Sequence, residues 1–240
     1  MKIISFKTIL LILVSNLVYS QNPEKKMNEN FPNSVEVIDT HLEQFFEKDA
    51  DIVVFDEIES EIIHRDIYFI KATEDRPYHI LLSCGMSALP MKVPEDINSS
   101  EFAEIVMLLP KEWNLNYESF DDERNYWPIR VMKELMMLPH PDKTWLGFGH
   151  TYEYEDDDDD EFADGAGFNS VMLARSMELS SDFTQIELEN DKTIDIYTVI
   201  PLYKEELEFK KRNNANALLE RFDKFEIGEI IKVGRKNVCK

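Results

Sequence analysis

Apolar residues first recur at helical spacing at Val35, Ile38, Leu42, Phe45 and Phe46, with Ser34 as candidate N-cap, which predicts an amphipathic helix ending near Asp49. The period then changes to that of strands. Ile52 to Phe55, Ile67 to Ala72, Tyr78 to Cys84 and Phe102 to Leu109 are runs of branched and aromatic residues separated by charged turns. A second helix is predicted from Pro128, which suits a first turn because its missing N–H has no intrahelical partner there, and Pro139 and Pro141 stop it. Ile129, Met132, Leu135 and Met136 share one face of this helix and Arg130, Lys133, Glu134 and Met137 the other, as in a helix laid on a sheet. Strand patterns resume at Trp145 to Tyr152, Val171 to Ala174, Thr184 to Leu188 and Thr193 to Leu202, with Asn190-Asp191 as a hairpin turn. From Glu205 to about Lys224 the composition favours helix, with a break at Asn213-Asn214. The sum is an α+β fold, a mostly antiparallel or mixed sheet flanked by helices on one or both faces.

Three segments precede or make up this pattern. Residues 1–20 carry Lys2 and Lys7 ahead of an apolar run from Ile9 to Val18, the layout of an export signal, and the run is too short to span a bilayer. Residues 21–33 are polar, aperiodic and contain Pro23 and Pro32, the composition of a flexible lead. Residues 34–240 then read as one domain, exported to the periplasm or the medium, with no stable membrane insertion once the signal is removed. An uncleaved signal acting as an anchor is the other reading of the leader.

Charge narrows the class of partner. The chain has 26 Lys and Arg against 48 Asp and Glu, a formal charge of −22, and loss of Lys2 and Lys7 with the leader takes it to −24. Such a balance opposes nucleic-acid binding, which needs a basic surface, and favours attraction to basic proteins. Much of the charge lies in Glu153 to Glu161, where Asp156, Asp157, Asp158, Asp159 and Asp160 are uninterrupted. That run lacks the alternating ligands and central glycine of a calcium loop, so it reads as a solvated loop.

Candidate chemistry is sparse. Cys84-Gly85-Met86-Ser87 ends a strand with a small-residue turn, but no G-x-S-x-G elbow surrounds Ser87. His64-Arg65-Asp66 begins like a kinase catalytic loop, yet Lys71 stands where that loop needs asparagine. Gly147-Phe148-Gly149 and Gly165-Ala166-Gly167 are too short for phosphate-binding fingerprints, and His140 and His150 lack zinc-site spacing. No cofactor and no metal is expected. Cys84 and Cys239 are either paired in an oxidising compartment or two idle thiols.

Five segments together resemble the suppressor of fused family. They are Tyr78 to Met91 (YHILLSCGMSALPM), Val106 to Trp113 (VMLLPKEW), Glu123 to Pro128 (ERNYWP), Thr144 to His150 (TWLGFGH) and Val199 to Leu207 (VIPLYKEEL), in register from about Phe45 onward. The resemblance implies an α+β domain with a mixed sheet flanked by helices and no catalytic activity. It also implies binding of protein. The animal member uses such a domain, with a second one, to clasp a peptide of Gli transcription factors, and that partner does not carry over to a chain without the second domain. Stand-alone bacterial members suggest an immunity protein that neutralises a polymorphic toxin. The expected partner-binding surface is Asp156 to Asp160 with Met86, Ser87, Phe148 and His150. The competing class is an unrecognised exported hydrolase working through Ser87 or His150.

Overall fold

The structure is a computed structural model and describes residues 33–56, 62–153 and 161–240. The leader, residues 21–32 of the lead and Asp156 to Asp160 lie outside the described residues. Helix α1 (Ser34–Phe45) is capped by Asn33, one residue before the expected Ser34, and stops four residues short of Asp49. Strands β1 (Ile52–Phe55), β2 (Asp66–Ile70), β3 (Tyr78–Cys84) and β4 (Phe102–Pro110) follow close to their expected bounds. Helix α2 spans Glu123–Met137. Strands β5 (Thr151–Glu153) and β6 (Ser170–Ala174), the single turn α3 (Ser181–Thr184), and strands β7 (Gln185–Glu187) and β8 (Thr193–Leu202) come next. Helices α4 (Lys204–Arg212) and α5 (Ala215–Lys224) close the order, broken at Asn213-Asn214 as expected.

The eight strands of the described residues form one sheet in the order β1-β2-β3-β4-β8-β6-β5, with β7 also on β8. The central pair β4 and β8 is parallel and every other pair antiparallel, so the expected mixed sheet is present. A parallel centre requires cover on both faces, and β4 and β8 are accordingly buried almost without interruption. Ala103, Ile105, Met107 and Leu109 of β4 join Trp127, Met132 and Leu135 of α2 on one face. On the other, Phe102, Val106 and Leu108 meet Ile38 and Leu42 of α1 and Phe183 of α3. The far half of that second face, Met172, Ile200 and Leu202, is covered by Leu207 of α4 and Leu218 and Phe222 of α5.

Two expectations are corrected. Helix α2 starts at Glu123 with Asp122 as its cap, so Pro128 is interior rather than in the first turn. The side chain of Asp122 accepts from Arg124 N at 3.1 Å and so begins the helix earlier than the proline suggests. The strand expected over Trp145 to Tyr152 shrinks to Thr151–Glu153, because Gly149 adopts φ 80 and turns the chain at Phe148-Gly149. Both thiols are free: Cys84 is buried in the core with α1, and Cys239 packs beside Val238 near α5.

Candidate partner-binding surface

The turn after β3 was expected to meet a partner, and the structure places it inside. Met86 and Ser87 are both 0% exposed. What holds them there is Glu104, a fully buried carboxylate on β4. It accepts from Ser83 Oγ at 2.5 Å, Gly85 N at 3.0 Å, Ser87 N at 2.9 Å and Ser87 Oγ at 2.6 Å. Gly85 is needed because a Cβ at its φ of 126 would lie 1.9 Å from the His64 carbonyl oxygen. His140 adds a contact from its Nε2 to the Met86 carbonyl at 3.2 Å. The Ser-Cys-Gly-Met-Ser motif is thus the cradle of a buried acid, and Met86 and Ser87 offer no surface to a partner.

Burial pushes the Glu104 carboxyl above the usual carboxylate range, against the hydrogen bonds from Ser83, Ser87 and Gly85 that pull it down. An acid whose folded pKa is raised contributes its stability below the unfolded pKa and loses it as pH rises through the folded one. Glu104→Gln does not titrate. Its deficit against the wild type, about 1–2 kcal/mol from one mispaired hydroxyl, is expected to be largest at acid pH and to shrink as pH rises, read from denaturant midpoints across a pH series.

Phe148 is exposed and His150 half-buried. Phe148 is 39% exposed, and with Gly149 it lines a shallow depression of about 540 Å³ whose other wall is Lys210, Lys211 and Asn213 to Asn216. The His150 ring packs on Trp145 with centroids 4.2 Å apart, and its Nδ1 lies 3.1 Å from the Trp145 carbonyl oxygen. Burial, with Lys210 nearby, pushes this imidazole below its ordinary range, against the hydrogen bond to the Trp145 carbonyl. Lys211 pairs with Glu153 at 2.6 Å, which ties α4 to the residue where the acidic run begins. Asp156 to Asp160 cannot be placed in this patch, since they are outside the described residues.

A larger open feature lies elsewhere. A groove of about 700 Å³ runs along the end of β4, lined by Pro110, Trp113, Ile230, Ile231 and Val233, with Glu112, Arg124 and Lys232 among its remaining lining residues. One wall is Trp113, whose indole N–H donates to the Asn125 carbonyl at 3.0 Å and whose ring meets Trp127 edge-on. The other wall, residues 228–233, has no helix and only an isolated bridge, yet it is held firmly. Ile230 bridges to Leu108 beside β4, where β8 has already parted from it, and Ile231 N donates to the Leu108 carbonyl. Glu229 is buried and accepts from Ser176 Oγ and, at 2.9 Å, from Glu178 N. Farther on, the Arg235 guanidinium is bidentate to Glu206 of α4 at 2.6 and 2.7 Å. Sequence reasoning missed this wall, because it follows no period; the signals present were Glu206 inside the VIPLYKEEL motif and a single arginine late in the chain.

Comparison with known proteins settles the family. The suppressor of fused protein family model matches residues 62–236. The chain belongs to the suppressor of fused family. An uncharacterised protein of Ureaplasma parvum serovar 3, UU111, is 25% identical over 177 residues, 72% of this chain and 80% of that protein. A suppressor of fused homolog from Neisseria gonorrhoeae superposes with a TM-score of 0.61 at 13% identity, covering 85% of this chain and 96% of that one. The Sufu–Fu complex gives 0.60 at 14% identity over 85% of this chain and 92% of that one. Drosophila Suppressor of Fused gives 0.59 at 14% identity over 87% of this chain, which spans 52% of the Drosophila chain. At these identities the structures establish a shared fold. Three of the five quoted motifs have a structural role here: YHILLSCGMSALPM supplies donors to Glu104, ERNYWP the start of α2, and VIPLYKEEL the acid that receives Arg235.

Proposed function

We propose that this suppressor of fused domain is a non-catalytic binding protein that takes a basic protein partner and seats an apolar side chain of it in the groove between Trp113 and Val233. The groove carries this reading. Trp113, Ile230, Ile231 and Val233 give it an apolar strip able to take an apolar anchor, Glu112, Arg124 and Lys232 give it a polar rim, and the chain just past its second wall is tied down by the buried Arg235–Glu206 pair. A relative is described in complex with Fu, which supports protein binding as the family's mode of action. The chain's −22 charge speeds encounter with a cationic partner and makes that step sensitive to salt.

The finer reading is an immunity protein, exported by residues 1–20, that neutralises a toxin with a cationic surface in the periplasm. The acidic run and the Phe148–His150 patch form its second contact. A hydrolase working through Ser87 is disfavoured by the hydroxyl's enclosure and its bond to Glu104. Val233 is 44% exposed at the groove mouth, so Val233→Arg obstructs the groove while changing stability by about 0.5 kcal/mol or less. The expected result is that wild-type protein retains a basic protein from the native periplasmic fraction and the variant does not. Equal retention by both would remove the groove from the reading. Serine at positions 156 to 160 is expected to slow association with that protein at low ionic strength and leave it unchanged at high; an unaltered salt dependence would leave the run as passive chain.

A further inference from the structure

Among the described residues, strand β1 is the outer strand of the sheet, and its far edge faces away from β2. Its four residues, Ile52-Val53-Val54-Phe55, pair with β2 alone among the described residues. Lys71 N donates to the Asp51 carbonyl, which makes 51 and 71 a hydrogen-bonded pair of the antiparallel ladder. Alternation then makes 53 with 69 and 55 with 67 the other bonded pairs, so the N–H and C=O of Val54 point away from β2. The described residues place no partner on Val54 there, and its side chain is 39% exposed. Beside this edge Tyr117, 63% exposed, meets Phe55 edge-on at 5.8 Å and offers an aromatic shelf.

Native edges are usually blunted by lysine, proline or a bulge. This strand has none of these and is instead bracketed by acid, Asp49 and Asp51 on one side and Asp56 on the other, all exposed. Lys71 answers Asp51 at 2.6 Å; Lys48 is the cation adjacent in sequence to Asp49. The bracket decides what can pair. A second copy laid antiparallel would bring the Asp51 end of one strand against the Asp56 end of the other, and like charges facing each other oppose it. A short extended segment with lysine or arginine at both ends of an apolar stretch meets complementary charge at each end.

We propose that β1 is a strand-addition site for an extended cationic segment of a protein partner, Val54 supplying the central pair of backbone hydrogen bonds. This rests on the reading of the chain as a binder of basic protein and adds a further site, separate from the groove and from the Phe148–His150 patch. The probe is the capped peptide Lys-Thr-Val-Thr-Val-Thr-Lys, with a control in which both lysines are glutamate, followed by amide shifts and hydrogen exchange of the labelled full-length protein. Expected are shifts centred on Ile52 to Asp56, slowed exchange of the Val54 amide, and no response to the control. Val54→Pro removes the outward N–H, and Val54→Lys keeps the backbone while adding a cation that opposes the lysines of the peptide. Each is expected to weaken the peptide by about tenfold or more, and the lysine variant decides the matter if the proline variant does not fold. Shifts at Trp113 and Ile231 with β1 unmoved would overturn the proposal and leave the groove reading standing. Absence of any cationic-peptide binding, or concentration-dependent pairing of β1 between copies, would overturn it as well. Capture of the basic protein lost in Val233→Arg but kept in both Val54 variants would show the groove reading holding where this one fails.

Discussion

Trp127→Ala is expected to lower unfolding free energy by about 3–5 kcal/mol, the usual cost of truncating a wholly buried large aromatic. Trp127 is 0% exposed at the start of the buried stripe of α2. Its ring stacks on Phe162 at 5.3 Å, meets Trp113 at 5.9 Å and lies 6.4 Å from Phe168. Alanine there leaves a cavity that three aromatic neighbours on different segments cannot close together. Trp145→Ala, which a reading of both tryptophans as core would rank equally, is expected to cost roughly half as much, since only the buried part of that side chain forfeits transfer energy. Trp145 is half-buried and covers Gly147 and His150 at the rim of the same core. Denaturant midpoints of the two variants decide the ranking. Equal shifts would mean that the α2 face closes over the gap or that the Trp145 loop is more tightly bound than its exposure implies.

The difference between the tryptophans shows what the sequence made legible. In β3 and β8 the bounds were readable to the residue because burial on both faces of the sheet demands unbroken apolar composition, and in β1, which is only partly buried, because Asp51 and Asp56 bracket four apolar residues. The break between α4 and α5 was readable for a related reason: Asn214 accepts from Ala217 N and starts a new helix where Asn213 ends the last. Segments whose conformation depends on remote partners were not readable. Ser180 caps a single helical turn through Phe183 N ahead of β7, so the strand expected from Thr184 begins only at Gln185. Met86 and Ser87 looked like a surface turn because nothing local announces that Glu104, 17 residues past Ser87, draws that turn inward. The groove is the extreme case. Its second wall takes its shape from Leu108, Ser176 and Glu206, all far away in the chain.

That dependence makes Arg235 the residue whose removal tests the wall most directly, and Arg235→Ala is expected to destabilise the protein by about 3–5 kcal/mol. The side chains of Arg235 and Glu206 are 7% and 0% exposed, so truncating the arginine leaves a carboxylate buried without its cation. Glu206 would keep only two backbone donors, Tyr203 N and Val238 N, both at 3.1 Å. The guanidinium also donates to the Pro201 carbonyl at 2.9 Å and lies over Phe168, Tyr203 and Phe222 at 4.9 to 5.3 Å, contacts that lysine cannot reproduce with its single ammonium. Replacing both partners with apolar residues of similar volume, Arg235→Met with Glu206→Leu, avoids the uncompensated charge, so the double variant is expected to be clearly more stable than Arg235→Ala. Urea midpoints of the two proteins measure this. Both should still bind less well at the groove, because residues 228–233 lose the tie that fixes them downstream. A double variant as unstable as the single one would show that the stacked rings and the Pro201 carbonyl, rather than the charge pair, hold the wall in place.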